Sequence, residues 1–374
     1  MKILSLFDGM ACGMIAMLNA GIEVESYDAY EIDKHAVAVS SHNFPNIRHH
    51  GDVFQADFTQ YDGVDFLVGG SPCTYWSIAQ KNNRETEASG LGWELFSQYV
   101  RAVKEAKPRF FIYENNKSMS AAIRESIDQA FGFEAVCINS ALVSAQNRQR
   151  LYWVGMRNED GTYSKVPVEQ PKDLGILLKD VLDHAVAWQD KAFAYTTRCQ
   201  SAIIKDTLMK HRHTMCAEPV NLDRIYDLRS NDTYVQYDLS GKNHNSQDQR
   251  AYYPHSKHGT LNASSTESKT GVIEPVRAAK CGKPTYQVKG GMITIKGKQY
   301  PIKLADGYYV IRKLTVSESK RLQTVPEWYD FSVISNSQAY KCLGNGWTCD
   351  VITHLITATQ TAARRKWLSA LLSQ

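Results

Sequence analysis

Residues 64–73 read VDFLVGGSPC, an apolar run that ends in a glycine-rich turn. The run Val64–Val68 predicts a buried β-strand, and the turn predicts the loop that leaves it. Similar runs alternate with helical patterns, giving strands at Ile3–Phe7, Val24–Tyr30, Arg109–Tyr113, Ala135–Asn139 and Leu151–Met156 and helices at Met14–Ala20, Lys34–Asn43, Trp93–Ala106 and Ser118–Phe131. This alternation predicts an α/β fold with a parallel sheet and helices on both faces.

The composition is that of an ordinary globular chain. Of its 374 residues, 43% are hydrophobic and 22% are charged, which excludes a disordered or fibrous protein and allows two domains. No apolar run approaches the roughly 20 residues that a membrane helix needs. The N-terminus becomes acidic at Asp8, too early for a signal peptide. We therefore expect a cytoplasmic protein without a membrane partner.

The eight cysteines are scattered, without a Cys-x-x-Cys pair and without histidines at zinc-finger spacing. This pattern argues against structural zinc and against a disulfide framework, so we expect no metal site.

The chain divides by composition into residues 1–174, 175–306 and 307–374. The middle part has short apolar runs and predicts a smaller domain of short strands and irregular structure, with a hairpin at Tyr286–Leu304 around Gly290-Gly291. It carries 19 basic and 13 acidic residues, a net charge of +6, whereas the rest of the chain carries −2. Such a charge is usually a solvated surface, but it is also consistent with a polyanionic partner. The last part is helical again and is expected to rejoin the first domain.

Residues with reactive or charged side chains lie at the carboxyl ends of the predicted strands, where α/β sheets bind ligands. Cys73 follows Pro72, whose fixed φ holds the loop. A single cysteine is more often a packed hydrophobic side chain, and Cys73 is a candidate nucleophile because of its position. Glu114 follows an apolar strand, so it is a candidate proton donor near neutral pH, with an ion-paired or capping glutamate as the alternative.

Two further patterns lie near strand ends. Arg148 and Arg150 are two residues apart, so in an extended chain both side chains point the same way. The turn Phe7–Gly13 lacks the Gly-x-Gly-x-x-Gly spacing of a dinucleotide site. Glu31, at the end of the next strand, is placed to accept hydrogen bonds from ribose hydroxyls. These residues indicate an adenosine-bearing ligand without a pyrophosphate.

The ordered set of motifs resembles the cytosine-5 DNA methyltransferases, and bacterial and prophage enzymes in particular. The motifs are Phe-Asp-Gly-x-x-x-Gly at 7–13, Gly-Gly-Ser-Pro-Cys at 69–73, Glu-Asn at 114–115, Gln-x-Arg-x-Arg at 146–150, Arg-Lys-Leu-Thr at 312–315, Arg-Leu-Gln at 321–323, Ser-Gln-Ala-Tyr-Lys at 337–341 and Leu-Gly-Asn at 343–345. The resemblance implies a Rossmann-like sheet that binds S-adenosylmethionine, with a target-recognition domain inserted between the fourth and fifth motifs.

The resemblance also implies roles for individual residues. Cys73 would attack carbon 6 of a flipped-out cytosine, Glu114 would protonate or hydrogen-bond ring nitrogen 3, and Arg148 and Arg150 would hold the base carbonyl. The implied cofactor residues are Phe7, Asp8, Gly9, Glu31, Ile32, Asp52, Val53, Pro72, Leu95, Asn345, Gly346 and Trp347. The implied DNA-binding residues are Ser77, Thr260, Lys269, Lys283, Lys289 and Lys296.

The segment Thr74–Gly92 would form a mobile loop that closes over DNA, with Gly90 and Gly92 as hinges. One departure from the family lies near this loop: Asn116 stands where the family usually has valine after Glu-Asn. The bulky Thr74-Tyr75-Trp76 after Pro-Cys is another.

The expected function is therefore DNA cytosine-5 methylation, with double-stranded DNA and a cognate restriction endonuclease as partners. The chain is expected to be a monomer in the cytoplasm, associated with the nucleoid through DNA. A tRNA cytosine-5 methyltransferase, an inactive DNA-binding subunit and a pyrimidine-monophosphate methylase are the alternatives. The long basic middle part argues against the first and the third, and the intact Cys73, Glu114 and Arg148 argue against the second.

Overall fold

A computed structural model describes residues 1–78, 84–197, 203–210, 213–220, 251–252, 271–272 and 285–372. The chain forms two compact units. The first comprises Met1–Val181, Asp190–Ser201 and Thr315–Gln374, and the second comprises Leu182–Gln189 and Ala202–Leu314. Among the described residues, no helix has both the length and the apolar character required to cross a membrane.

Residues 1–197 contain ten strands and four helices among the described residues. They are β1 (Lys2–Leu6), α1 (Cys12–Asn19), β2 (Ser26–Tyr30), α2 (Lys34–Asn43), β3 (Arg48–His49), β4 (Phe66–Gly69), α3 (Gly90–Ala106), β5 (Phe110–Asn116), α4 (Ala121–Phe131), β6 (Val136–Asn139), β7 (Gln146–Asn147), β8 (Gln149–Arg157), β9 (Tyr163–Lys165) and β10 (Ala192–Phe193). Short 3₁₀ turns lie at Val53–Gln55, Phe58–Tyr61, Cys73–Tyr75, Ser140–Leu142 and Leu178–Val181.

The remaining elements follow after residue 203. They are α5 (Ile204–Lys210), β11 (Met215–Pro219), β12 (Ala251–Tyr252), β13 (Gly271–Val272), β14 (Thr285–Lys289), β15 (Met292–Ile295), β16 (Lys298–Pro301), β17 (Gly307–Lys313), α6 (Val316–Leu322), α7 (Asn336–Asn345) and α8 (Cys349–Leu372).

The first unit is built on a mixed sheet with the strand order β3-β2-β1-β4-β5-β8-β6, and β9 pairs with β8. The strands from β3 to β5 are parallel, and β8 is antiparallel to both of its neighbours β5 and β6. The strand order reverses between β1 and β4, which is the position where such sheets bind ligands. The predicted α/β class is therefore confirmed.

Successive residues of a strand point to opposite faces, and the two faces of this sheet have separate cores. Phe110 and Ile112 of β5 pack in one apolar cluster with side chains of α1 and α8. Phe111 and Tyr113 pack in the other cluster with side chains of α3 and α4. Helices therefore cover both faces, as the sequence pattern predicts, and hold the strand ends in fixed positions.

Several element boundaries differ from the predicted ones. The strand predicted at Arg109–Tyr113 continues to Asn116, because β8 pairs with it as far as Asn116 and Arg150. Glu114 therefore lies within β5 and not after it. The helix predicted from Trp93 begins at Gly90. Helix α2 has the predicted bounds, and the side chain of Asp33 caps it by accepting from the amide of His35.

The second unit contains a five-stranded antiparallel sheet with the order β11-β17-β14-β15-β16. The predicted hairpin is present, because β14 pairs with β15 across Gly290 and Gly291, which have φ angles of +58° and +70°. Two positive φ angles suit a two-residue hairpin turn and favour glycine. Strand β17 belongs to this unit, so the chain returns to the first unit at Thr315 and not at the expected residue 307.

Candidate active site

The carboxyl ends of β1, β2, β4 and β5 and the residues before β8 surround one cleft in the first unit. The cleft is lined by Phe7, Asp8, Gly9, Cys12, Glu31, Asp33, Ala36, Gly70, Ser71, Pro72, Cys73, Thr74, Glu114, Arg148, Arg150, Cys342, Gly344, Asn345, Gly346 and Trp347. The structure thus brings together all four candidate catalytic residues and eight of the predicted cofactor residues.

Buried hydrogen bonds to residues of β5 hold Ser71, which lies in the loop just before Cys73. The hydroxyl of Ser71 lies 2.6 Å from that of Tyr113, and the side-chain amide of Asn115 donates to the carbonyl oxygen of Ser71 at 3.2 Å. Cys73 begins a 3₁₀ turn, and the residue is exposed. The nucleophile candidate is therefore open to a large substrate, while the residues before it are fixed.

Gly70 is required by the close approach of β5. A Cβ atom there would lie 2.7 Å from the carbonyl oxygen of Glu114 and 2.9 Å from its Oε2 atom. Since real Cβ contacts are longer than 3.0 Å, any side chain would displace the glutamate. Gly70, the second glycine of the Gly-Gly-Ser-Pro-Cys motif, thus allows the close approach between the loop that leads to Cys73 and the strand that carries Glu114.

Asn116, which replaces the family's usual valine, forms polar contacts with the nucleophile loop. Its Nδ2 atom lies 3.4 Å from the carbonyl oxygen of Cys73 and 3.1 Å from Oδ1 of Asn115. Its Oδ1 atom accepts from the hydroxyl of Ser118 at 2.7 Å. The departure from the family therefore adds hydrogen bonds between the end of β5 and the backbone of Cys73.

Both carboxylate oxygens of Glu114 have a donor. Nε of Arg150 lies 3.0 Å from Oε1, and the two side chains are only 15% and 12% exposed. Nε1 of Trp347 donates to Oε2 at 2.9 Å. The glutamate is therefore held from two sides, and removal of Arg150 would leave a largely buried charge without its partner.

Arg148 is buried and bonds to peptide carbonyls. Its guanidinium donates to the carbonyl oxygens of Tyr195 at 2.7 Å and Gly346 at 2.9 Å, with longer contacts to that of Gly344. Burial, followed by the nearby positive charge of Arg150, lowers the pKa of Arg148 to about 10. The two arginines thus differ: Arg150 pairs with Glu114, whereas Arg148 fixes the loop after α7.

Two carboxylates lie at the other end of the cleft. Oε2 of Glu31 accepts from the amide of Gly9 at 2.8 Å, and Oε1 accepts from the amides of Ile32 and Asp33. Oδ1 of Asp8 accepts from the hydroxyls of Ser5 and Tyr27, both at 2.6 Å. Its Oδ2 atom is buried without a hydrogen-bond partner among the described residues.

The burial of Asp8 has an electrostatic consequence. Desolvation raises the pKa of this carboxyl to about 6, although the hydrogen bonds from Ser5 and Tyr27 act in the opposite direction. A buried acceptor atom without a partner is costly unless a ligand supplies a donor. The site therefore fits a cationic ligand at this position.

Four predicted cofactor residues do not line the cleft, and their roles stay predictions. Ile32 is 78% exposed, Asp52 caps the 3₁₀ turn at Val53–Gln55, Val53 is buried in an apolar core, and Leu95 packs against the same core.

The predicted DNA-binding residues are dispersed. Ser77 follows the Cys73 turn, and its amide donates to the carbonyl oxygen of Cys73 at 3.0 Å. Lys289 and Lys296 are exposed in the second unit. Thr260, Lys269 and Lys283 lie outside the described residues.

The predicted mobile loop is described except for residues 79–83. Glu85 ties its end to α3, because Oε2 accepts from Nε1 of Trp76 at 3.1 Å and Oε1 accepts from the amide of Gly92 at 3.2 Å. Gly92 lies inside α3, and a Cβ there would lie 2.6 Å from Nε1 of Trp76. The structure thus requires glycine at this position for close packing, whereas a φ of +79° explains Gly90.

Eight lining residues are not among the predicted site residues, namely Cys12, Asp33, Ala36, Gly70, Ser71, Thr74, Cys342 and Gly344. Asp33 pairs with Nζ of Lys341 at 2.7 Å, and burial raises the pKa of Cys342 to about 12. A signal existed for Asp33 and Ala36, because they follow Glu31 at the N-cap and in the first turn of α2.

Fold and site together define a cofactor-binding α/β domain with an exposed cysteine beside a paired glutamate. A family-level sequence model described as C-5 cytosine-specific DNA methylase matches residues 1–361. The chain therefore belongs to the C-5 cytosine-specific DNA methylase family.

Known relatives agree with this assignment. The chain is 29% identical over 221 residues to the orphan methyltransferase M.SPRI of Bacillus phage SPR, an alignment that covers 55% of this chain and 48% of that protein. It is 24% identical over 381 residues to the type II methyltransferase M.NgoPII of Neisseria gonorrhoeae, with 98% and 97% covered. The chain thus spans about half the length of the first relative and nearly all of the second.

Solved structures share the fold. A DNMT2 mutant of Spodoptera frugiperda superposes with a TM-score of 0.55 at 16% identity, covering 96% of this chain and 98% of that one. A putative DNA modification methyltransferase from an Escherichia coli prophage gives 0.51 at 17% identity, covering 96% and 99%.

The family takes its methyl group from S-adenosylmethionine, and the cleft fits this cofactor. The partnerless Oδ2 atom of Asp8 suits a cationic group, and the carboxylate of Glu31 lies beside it at the turn after β2. Because the cofactor carries ammonium and sulfonium groups and two ribose hydroxyls, two carboxylates are the expected complement.

Proposed function

We propose that this protein is a DNA cytosine-5 methyltransferase that uses Cys73 as a covalent nucleophile. The observation that carries the proposal is that one cleft contains the exposed Cys73, the Glu114–Arg150 pair and the carboxylates Asp8 and Glu31. The activated cofactor supplies an electrophilic methyl group when bound. The protein residues must therefore make carbon 5 of cytosine nucleophilic, which the unmodified ring is not.

Cys73 performs the first step on a cytosine flipped out of the duplex, which costs a few kcal/mol of stacking and pairing. Its thiolate forms a bond to carbon 6, and the electron pair of the 5,6 double bond moves through the ring. Glu114 delivers a proton or hydrogen bond to ring nitrogen 3, so that an enamine forms without a full ring charge. Once carbon 5 is methylated, water removes its proton, and that electron pair re-forms the 5,6 double bond and expels the Cys73 thiolate. The proton on ring nitrogen 3 returns to Glu114, so both side chains are regenerated.

The arginines have different parts in this proposal. Arg150 keeps Glu114 oriented and stabilises charge beside it, since its Nε atom already contacts the carboxylate. Arg148 holds the backbone at Gly344 and Gly346 and supplies positive potential from a buried position. Both positions line the cleft, so both guanidinium groups act near the base.

The second unit, with the rest of residues 175–306, is proposed to recognise DNA. Five lysines of its sheet region are exposed, namely Lys289, Lys296, Lys298, Lys303 and Lys313. Lysines on phosphates supply affinity, and base contacts supply the sequence preference. Because the substrate is then DNA, we place the enzyme in the cytoplasm on the nucleoid, where a cognate restriction endonuclease would be its functional counterpart.

The decisive experiment traps the covalent step. Wild-type protein, S-adenosylmethionine and a duplex with 5-fluorocytosine should give an SDS-stable adduct, because fluorine at carbon 5 cannot leave as a proton. Cys73→Ala should form no adduct and leave no methylated cytosine in bisulfite sequencing of host DNA. Cys137→Ala, which alters a half-buried cysteine outside the cleft, is the matched control and should behave as wild type.

The same assay separates the alternatives. An adduct with fluorinated RNA but not with DNA would replace the proposal by an RNA methyltransferase. An adduct that persists in Cys73→Ala would reject the nucleophile, and the absence of any adduct with wild type would reject the enzyme activity.

A further inference from the structure

Trp347 lies at the border between the two ends of the cleft. Its Nε1 atom donates to Oε2 of Glu114 at 2.9 Å, while Arg150 occupies Oε1. The tryptophan and the glutamate are 233 residues apart in the sequence. The two oxygens of the proposed proton donor are thus held by side chains from two unrelated elements.

The backbone around Trp347 is fixed independently of this hydrogen bond. Nε2 of Gln323 donates to the carbonyl oxygen of Leu343 at 2.7 Å and to that of Gly346 at 3.3 Å. The guanidinium of Arg148 donates to the same Gly346 carbonyl, and the hydroxyl of Thr348 donates to Oε1 of Gln323. The residues on both sides of Trp347 are therefore anchored, so the indole is a fixed donor rather than a surface side chain that happens to reach Glu114.

The indole ring is also part of the cofactor end of the cleft. Trp347 lines the cleft together with Asp8, Gly9 and Glu31. Its Cζ3 atom lies 3.8 Å from the position that a Cβ atom on Gly13 would take, and the ring packs against the apolar cluster of α1 and α8. The ring whose N–H group holds Glu114 therefore also borders the cleft that contains Asp8 and Glu31.

We propose that Trp347 is a positioning residue for Glu114, holding its carboxyl group in the orientation that the flipped base requires. The indole acts through the N–H···Oε2 hydrogen bond, and Arg150 fixes the other oxygen. This inference rests on the proposed function, because it takes Glu114 as the group that contacts ring nitrogen 3. It assigns to Trp347 a task on the base side in addition to its expected place beside the cofactor.

The chemistry of the hydrogen bond predicts a specific signature. Without the indole N–H donor the carboxyl group of Glu114 is free to rotate, so kcat should fall in Trp347→Phe. This fall should require Glu114, because the indole acts through the N–H···Oε2 hydrogen bond. A merely structural tryptophan would lower kcat by the same factor whether residue 114 is glutamate or glutamine.

The test compares Trp347→Phe with wild type in single-turnover methyl transfer to DNA. We expect about a 10-fold lower rate at neutral pH, as for the loss of one hydrogen bond to a charged group, and less than a 3-fold change in cofactor Kd. In a Glu114→Gln background the same substitution should have almost no further effect, because the two residues act as one unit. Trp367→Phe, 62% exposed on α8, is the matched control.

A second measurement leaves Trp347 in place and so does not depend on whether Trp347→Phe folds. Indole N–H signals of ¹⁵N-labelled protein should show one resonance that shifts on Glu114→Gln. Trp153 and Trp76 also donate to carboxylates, at 2.7 and 3.1 Å, and should stay unchanged as internal references.

The outcomes are distinguishable. An unchanged rate in Trp347→Phe, an equal loss of rate from this substitution in the Glu114→Gln background, or no indole shift would overturn the role of Trp347 alone. Full activity of Glu114→Gln would overturn the proposed function itself.

Discussion

The charged side chains of the cleft in the first unit differ from the lysines of the sheet in the second unit. In the cleft, Glu114 is largely buried and lies between Arg150 and Trp347. In the second unit, Arg312 pairs with Glu218 at 2.6 Å, but the lysines of the antiparallel sheet are exposed to solvent. The cleft therefore holds its charged groups in a fixed geometry, whereas the lysines of the second unit present positive charge to solvent.

Changing Glu114, which is held by Arg150 and Trp347, should have the strongest effect on methyl transfer. Glu114→Gln keeps the shape but removes the proton donor, so methyl transfer should slow by about 10²- to 10⁴-fold, the range typical of general acid catalysis. Cofactor affinity should change little, because Glu114 lies at the base end. Single-turnover rates and calorimetric titration with S-adenosylmethionine measure the two quantities.

Glu94→Gln, which alters an exposed glutamate on α3, serves as the control for this change and should keep the wild-type rate. Equal losses of rate and of cofactor affinity in Glu114→Gln would contradict the separation of the cleft into two ends.

A smaller effect is expected at the cofactor end, where Asp8 has a pKa raised to about 6 by burial. A cationic ligand binds the ionised carboxylate better, so binding must release a proton from the fraction of protein in which Asp8 is protonated. Cofactor affinity should therefore be constant well above pH 6 and weaken as the pH falls through 6. Asp8→Asn should bind about 10-fold more weakly at pH 8, as for a lost charge-assisted hydrogen bond, and should show no pH dependence near 6.

Calorimetry in buffers of different ionisation enthalpy measures the released proton directly. Asp62→Asn, at an exposed position, should retain the wild-type pH dependence. If Asp8→Asn retained it too, another group would be titrating and the assignment to Asp8 would be wrong.

The sequence could predict most of the cleft because its residues follow strands of one parallel sheet. Phe7–Gly9, Glu31 and Cys73 come after β1, β2 and β4, and the carboxyl ends of parallel strands meet at one edge. Local sequence patterns were sufficient to predict these strand ends, because a glycine, a proline or a charged residue follows each apolar run. The C-terminal end of β5 was not predicted correctly. Its last residues are polar, and they adopt strand structure because they pair with β8.

Contacts between distant residues could not be predicted in the same way. The bond from Trp347 to Glu114 and those from Arg148 to Gly344 and Gly346 depend on how α7 and α8 return to the sheet. The pairing of β11 with β17 likewise joins segments about 96 residues apart, as Cys216 and Arg312 illustrate. No local spacing encodes such pairs, because burial and loop closure over the whole chain decide them.

The weakest effect is expected from exposed lysines of the second unit. Lys289 and Lys296 are exposed beside the turns of the β14–β15 and β15–β16 hairpins, so alanine at either position should leave the fold intact. If both lysines contact phosphates, Lys289→Ala/Lys296→Ala should weaken DNA binding a few-fold on every sequence. The slope of log Kd against log salt should fall by about 1.8, since each phosphate contact contributes about 0.9.

The methylated sequence and the rate of the bound complex should stay as in wild type, because neither lysine reads bases or lies in the cleft. Fluorescence anisotropy over a salt series measures the slope, with Lys172→Ala in the first unit as the control. A change confined to one DNA sequence would instead place these lysines among the base-reading residues, and an unchanged slope would remove them from the DNA-binding surface.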